Sequence, residues 1–193
     1  MDKFESLRNL LIANRSVRRF DNSRRISCST VEELVELTRY CASGRNLQPL
    51  RYRIVTDSAE CEALFPLLAW AGYYTDWDGP AEMERPVAYL VQCLDTELTK
   101  NCLCDDGLQL EAITLGATAR GIAGCIIKSF NKAGLQSALN LAERYEPRYV
   151  LALGYPAEKV KIVELGTDGD YKYYRDKDST QCVPKRQLSD LII

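Results

Sequence analysis

The sequence predicts one domain of the α+β or α/β class. Three observations carry that expectation. Strand-like and helix-like apolar patterns interleave along the chain. A length of 193 residues, 46% of them hydrophobic, is enough to bury one sizeable core. No internal repeat and no low-complexity linker divides the sequence, so residues 1–193 read as a single unit.

The elements follow in order. Phe4, Leu7, Leu10 and Leu11 have helical spacing and predict a helix over 3–13. STVEELVELTRYCA, 29–42, predicts a second helix, with Thr30 and Glu33 as a capping box and Val31, Leu34, Val35 and Thr38 as its apolar stripe. SGRNLQPL is a loop closed by Pro49. RYRIVT alternates through Tyr52 and Ile54 and predicts a strand at 51–56. A helix over 58–69 follows, with Pro66 inside it, and then a long aromatic and acidic loop at 71–86. VAYLVQCL, 87–94, has the near-continuous apolar run of a buried strand. The stretch from Cys102 to Gly121 predicts a long helix with Leu103, Leu110, Ile113 and Ala117 on one side. Gly107 and Gly116 in it suggest close packing against another helix. GCII is a short apolar segment, NKAGLQSALNLA a helix and RYVLALGYP a second buried strand. GTDGDYKYYRDKDST is polar and tyrosine-rich, and VPKRQLSDLII ends the sequence.

Composition narrows the chemistry. The formal net charge is −2, so the surface as a whole does not attract polyanions. The opening residues carry Asp2 and Glu5 and too short an apolar run for a signal peptide, and no stretch approaches a membrane span. A soluble cytoplasmic protein is the expectation. Eight cysteines without a secretory signal read as reduced thiols, mostly buried as small hydrophobes, and CLC at 102–104 lacks the spacing of a zinc site. The chain contains no histidine, which excludes Ser-His-Asp and Cys-His nucleophiles and the H-E-x-x-H metal motif. Neither a G-x-G-x-x-G nor a P-loop pattern is present.

Four stretches invite a ligand. NRSVRRF concentrates Arg15, Ser16, Arg18 and Arg19 near Arg24 and Arg25. Guanidinium forks and a hydroxyl suit a phosphate, although a solvated loop or a nucleic-acid contact fits the same charges. SGRNLQPL places Gly44 beside Ser43, Asn46 and Gln48, whose amides match a heterocycle carrying both carbonyls and N–H groups. GIAGCIIKSF offers backbone N–H groups or simply a core strand. VPKRQL adds Lys185 and Arg186.

Taken together and in this order, the four stretches resemble the FMN-dependent nitroreductase family. Its R-R-S-x-R-x-F opening is matched at Arg15, Ser16, Arg18 and Phe20, with Asn14 where many members have arginine. Its P-S-(S/G)-x-N-x-Q-P segment is matched at Ser43, Gly44, Asn46, Gln48 and Pro49, with Ala42 for the first proline. Its G-L-G-x-C-W-I-G segment is matched at Gly121, Cys125 and Ile127, with Ile126 for tryptophan and Lys128 for glycine. LALGYPAE and the basic VPKRQLSDLI complete the pattern.

The resemblance implies a three-layer α+β fold, with a central mixed β-sheet flanked by helices, in an intertwined homodimer whose C-terminal segments extend onto the partner subunit. It implies FMN held by Asn14, Arg15, Ser16 and Arg18 at the phosphate and ribityl chain, helped by Lys185 and Arg186. Ser43, Gly44, Asn46 and Gln48 would reach it from the other subunit, and Cys125, Ile126 and Ile127 would line the isoalloxazine. The implied reaction passes electrons in two steps from NADH or NADPH through FMN to a nitroaromatic, a quinone or a similar flat acceptor, with no catalytic side chain and no metal. Tyr73, Tyr74 and Trp77 in the 71–86 loop are the expected cover on the substrate side. Two ligand-binding rivals stand beside this reading, and a third is a plain dimeric scaffold with no ligand. One is an FMN-binding member with other flavin chemistry or no turnover. The other is a nucleic-acid-binding module built on Arg15 to Arg25. Arg19, Arg24 and Arg25 are expected to be solvated.

Overall fold

The computed structural model describes residues 2–193. Its frame is a four-stranded sheet in the order β1-β2-β4-β3, formed by β1 (Leu50–Val55), β2 (Ala88–Asp95), β3 (Ala123–Ile127) and β4 (Tyr145–Gly154). The apolar runs predicted at 87–94 and 148–156 are the two central strands. Both faces of β2 are covered, which is why its sequence hardly alternates.

Helices cover both faces. Val31 and Leu34 of α2 (Cys28–Glu36) and Leu110, Ile113 and Ala117 of α4 (Asp105–Ala119) pack with Leu90, Leu151 and Leu153. Cys61 and Leu64 of α3 (Ser58–Leu64) and Leu135 of α5 (Lys132–Ala138) pack with Tyr89, Val91, Val150 and Ala152 on the opposite face. The period of two along β2 and β4 assigns alternate residues to the two cores. α1 (Lys3–Ala13) buries no residue and leaves Phe4, Leu7, Leu11 and Ile12 exposed. A smaller sheet, in the order β5-β7-β6, joins β5 (Val160–Glu164), β6 (Tyr174–Arg175) and β7 (Gln181–Lys185). Among the described residues no helix is long and apolar enough to cross a membrane.

The structure corrects several local expectations. The central sheet is antiparallel throughout rather than mixed. The mixed pairing belongs to the small sheet, where β5 runs parallel and β6 antiparallel to β7. Ser27, not Thr30, caps α2: its hydroxyl accepts from the Thr30 N–H at 3.1 Å, because the helix begins one turn earlier than the apolar stripe suggests. The helix expected over 58–69 stops at Leu64, and a 3₁₀ turn carries Pro66. α4 starts at Asp105, so Leu103 lies outside it, exposed and with φ +53°. Asp105 and Asp106 occupy its first turn, where negative charge complements the helix dipole. Of its two glycines, only Gly116 has the predicted close neighbours, Leu34 and Leu37 of α2 and the turn after it. Gly107 faces open space.

One glycine is required by a close approach. A Cβ at Gly154 would lie 2.6 Å from the ring of Phe20, which is fully buried. Gly154→Ala therefore lowers stability by about 1–3 kcal/mol through overpacking. A lower urea midpoint at unchanged m-value is the expected result.

Candidate functional site

The segment after α1 runs extended along the free edge of β3. Ser16 bridges Gly124, and the Val17 N–H donates to the Gly124 carbonyl at 3.0 Å. On its far side the segment meets the turn after β4: the Ala157 N–H donates to the Arg19 carbonyl at 2.9 Å and Phe20 bridges Pro156. Val17 and Phe20 point into the core. Ser16 is exposed, and Arg15, Arg18 and Arg19 are half-buried along the outer surface.

Two cavities flank this segment and share Ile126. The first, about 170 Å³, is lined by Asn14, Arg15, Ser16, Glu111, Thr114, Gly124 and Ile126. The Asn14 amide donates to the Thr114 hydroxyl at 2.9 Å, which fixes the end of α1 against α4. Arg15 donates from Nη2 to the Leu11 carbonyl at 2.8 Å, while its Nε is buried without a partner. Arg15 also lines an open apolar groove of about 380 Å³ with Leu7, Leu11, Ile162 and Lys185. Arg186 follows on the surface.

The second cavity, about 160 Å³, lies between Trp70 to Gly72 on one side and Cys125 to Ser129 on the other, with Arg18 and Tyr173 closing it. The Arg18 guanidinium sits 4.5 Å from the centre of the Tyr173 ring. Among the described residues neither Arg15 nor Arg18 makes an ion pair. Ile126 is 40% exposed. Backbone direction alternates along a strand, and Gly124 points its carbonyl at Val17, so the N–H and C=O of Ile126 face the same open edge. Cys125 and Ile127 are buried beneath.

The structure thus gathers Asn14, Arg15, Ser16, Arg18, Cys125, Ile126 and Ile127 on one tract and brings Lys185 next to Arg15. It does not bring Ser43, Gly44, Asn46 or Gln48 into either cavity. These residues form a loop at the start of α4. Asp105, only 1% exposed, accepts from the Ser43 hydroxyl at 2.6 Å and from the Gly44 N–H at 2.9 Å. Arg45, Asn46 and Gln48 all have left-handed φ values of 52°, 56° and 48°, and Asn46 and Gln48 lie exposed.

The expectation of solvated arginines is corrected at Arg19, whereas Arg24 and Arg25 are exposed. Arg19 pairs with Glu84 at 3.4 Å, and Arg24 stacks 3.4 Å from the Tyr155 ring centre. Four of the five arginines therefore turn to different contacts, at Leu11, Tyr173, Glu84 and Tyr155.

The sequence reading missed the residues that hold this site: Glu158, Arg175, Tyr173, Trp70 and Asp105. Glu158 accepts the N–H groups of both Arg18 and Arg19, at 2.5 and 3.2 Å. Only the position of Glu158, directly after GYPA, offered a signal. The tyrosine-rich stretch near the end gave no pattern to read.

The sequence model of the nitroreductase family matches residues 12–86, which hold both the Arg15–Phe20 and the Ser43–Pro49 motifs. Over that stretch the chain is similar to the nitroreductase family. Solved structures share its fold. A nitroreductase family protein from Streptococcus pneumoniae TIGR4 superposes with a TM-score of 0.68 at 17% identity, over 84% of this chain and 96% of its own. A nitroreductase family protein from Clostridium difficile 630 gives 0.67 at 17% identity, over 100% and 98%. An FMN-dependent nitroreductase from Clostridium difficile R20291 gives 0.65 at 16% identity, over 87% and 97%.

The thiols of the chain are free, and five of the eight are buried. Burial pushes Cys61 up to about 11 and Cys93 up to about 12, and it raises Cys125 as well. Their thiolate populations near neutral pH are therefore small. Titration of the native protein with an aromatic disulfide reagent at pH 7.5 is expected to label Cys28 and Cys104 quickly. Cys61, Cys93, Cys102, Cys125 and Cys182 should react only after denaturation.

Proposed function

We propose that this protein is an FMN-dependent oxidoreductase that carries electrons from NADH or NADPH to a flat electrophile such as a nitroaromatic or a quinone. The observation that carries the proposal is the continuous tract from Arg15 to Ile126. It presents two guanidinium groups without carboxylate partners, a hydroxyl and an open strand edge to adjoining cavities.

The residues present fit the cofactor. Arg15 has a buried Nε lacking an acceptor, with Ser16 beside it and Lys185 across the groove, which is the donor set a phosphate monoester demands. Arg18 stands apart from them, against Tyr173 and Cys125 to Lys128, so we assign it to the ring end rather than to the phosphate. There its donors would answer a ring carbonyl. The free N–H of Ile126 would donate to a ring nitrogen. Trp70 and Tyr173 would exclude water from the same cavity. Bound FMN would supply the hydride and electron chemistry, which accounts for a chain that needs neither histidine nor a side-chain base.

The reading includes a homodimer. The Ser43–Gln48 loop lies outside both cavities of its own chain, and its exposed amides suit contact with the cofactor of a second copy. The exposed apolar face of α1 and the exposed Leu188, Leu191 and Ile192 are surfaces such a dimer would cover.

The test is a visible absorption spectrum of the purified protein with FMN added. Flavin bands that stay with the protein through gel filtration are expected, and their absence would sink the proposal. Each charge-assisted hydrogen bond contributes about 1.5–3 kcal/mol. Arg15→Ala combined with Arg18→Ala should therefore weaken FMN binding by about a hundredfold or more. An unchanged affinity in that double variant means the tract does not hold the cofactor.

A further inference from the structure

A closed ring of contacts surrounds Arg18, and one buried carboxylate joins its halves. The Glu158 side chain is 3% exposed. Its Oε1 accepts the N–H groups of Arg18 and Arg19, and its Oε2 accepts from Arg175 Nη2 at 3.1 Å. The Arg175 guanidinium lies 5.3 Å from the ring centre of Tyr74 and 5.1 Å from that of Trp77. Tyr74 meets Tyr173 edge-on at 5.3 Å, and Tyr173 lies under the Arg18 guanidinium. The path returns to the residue whose N–H it left. Tyr74 is pinned a second time by donating from its hydroxyl to Gln181 Oε1 at 2.8 Å.

We propose that Glu158 is a positioning residue that locks Arg18 and the aromatic cover of Tyr74, Trp77 and Tyr173 into one unit, which meets the 160 Å³ cavity through Arg18 and Tyr173. Its role toward a bound flavin and acceptor rests on the function proposed above, whereas the lock itself does not. A carboxylate suits the task because it accepts three N–H groups at once. Charge assistance makes each of these bonds stronger than a neutral one. The loop at 71–86 has no regular structure before its 3₁₀ turn at 82–84, so its geometry at Tyr74 and Trp77 depends on such side-chain ties. Arg175 comes from the two-residue strand β6, which pairs with β7. Opening the ring at Glu158 should therefore loosen both the Arg18 main chain and the cover.

The experiment uses Glu158→Gln, Arg175→Gln and the double variant, each in a Trp70→Phe background, which leaves Trp77 as the remaining tryptophan. Two readouts need no flavin: amide hydrogen exchange at Arg18 and Arg19, and acrylamide quenching of Trp77. Glu158→Gln is expected to speed exchange at both amides about tenfold. Each single variant is expected to raise the quenching constant about twofold, and the double variant no further than Glu158→Gln. Unchanged exchange at Arg18 and Arg19 would overturn the proposal. So would unchanged quenching in Arg175→Gln, a variant that leaves both main-chain bonds of Glu158 in place, or fully additive effects in the double variant. With FMN and an acceptor present, Glu158→Gln should raise the acceptor KM about tenfold with a smaller loss in kcat, and equal losses in both would count against a positioning role. If the unsubstituted protein fails to bind FMN, the cofactor reading falls while the exchange and quenching results still decide the lock.

Discussion

The site depends on one backbone arrangement: residues 16–20 lie extended between two polypeptide edges and satisfy both. Gly124 on the edge of β3 accepts from Val17, and the turn after β4 supplies the Ala157 N–H and the Glu158 carboxylate. Val17 and Phe20, three residues apart, both turn inward, so the segment departs from strict alternation and its pairing on two sides fixes which residues are buried. Phe20 takes the buried position against Gly154, and a fully buried aromatic side chain is worth about 1.5–3 kcal/mol. A slip of one residue would bury an arginine instead. The burial of Val17 and Phe20 thus fixes the outward placement of Arg15, Ser16 and Arg18 more firmly than any bond the arginines make themselves.

Helix α4 sets the second spacing. Its start holds the Ser43–Gln48 loop through Asp105, and its middle holds Asn14 through Thr114. At 1.5 Å per residue these two anchor points are about 14 Å apart along the helix. The loop itself is strained, since left-handed non-glycine residues cost about 1–3 kcal/mol each. Asp105 offsets part of that cost with two hydrogen bonds from a buried carboxylate, and Ser43 adds a third tie by accepting from the Gln48 N–H at 2.9 Å. The Asn46 and Gln48 amides of this loop lie exposed and bond to each other, Gln48 Nε2 donating to Asn46 Oδ1 at 3.1 Å.

Much of this was legible in the residues. The buried strands at 88–95 and 145–154 announced themselves through apolar runs, because a strand covered on both faces has no polar side to interrupt it. α1 was legible from its periodicity even though it buries nothing in this chain. The arginines and β3 were found as local motifs. What stayed hidden came from pairing at long range. Glu158 sits 140 positions from Arg18, and nothing in either stretch alone reports that one accepts from the other. Tyr173 and Arg175 belong to a polar stretch with no apolar period, whose small sheet is built by pairing with β7 rather than by its own pattern. The cap at Ser27 was missed because Thr30 and Glu33 imitate a helix start one turn too late.

The same long-range contacts explain how an arginine cluster persists in a chain of net charge −2 without being neutralised. Acidic groups are close by, yet they are committed elsewhere. Glu84 pairs with Arg19, and Asp21 accepts from Ser23. Glu158, the nearest to Arg18, spends one oxygen on main-chain N–H groups and the other on Arg175. Had it turned to the Arg18 guanidinium, the cation facing the cavity would have been cancelled. Two adjacent N–H groups would also have been left without an acceptor in a half-buried place, at a cost of about 1–3 kcal/mol each. Main-chain satisfaction therefore outcompetes the ion pair. The free charge of Arg18 follows from that competition and does not require the acid to be absent.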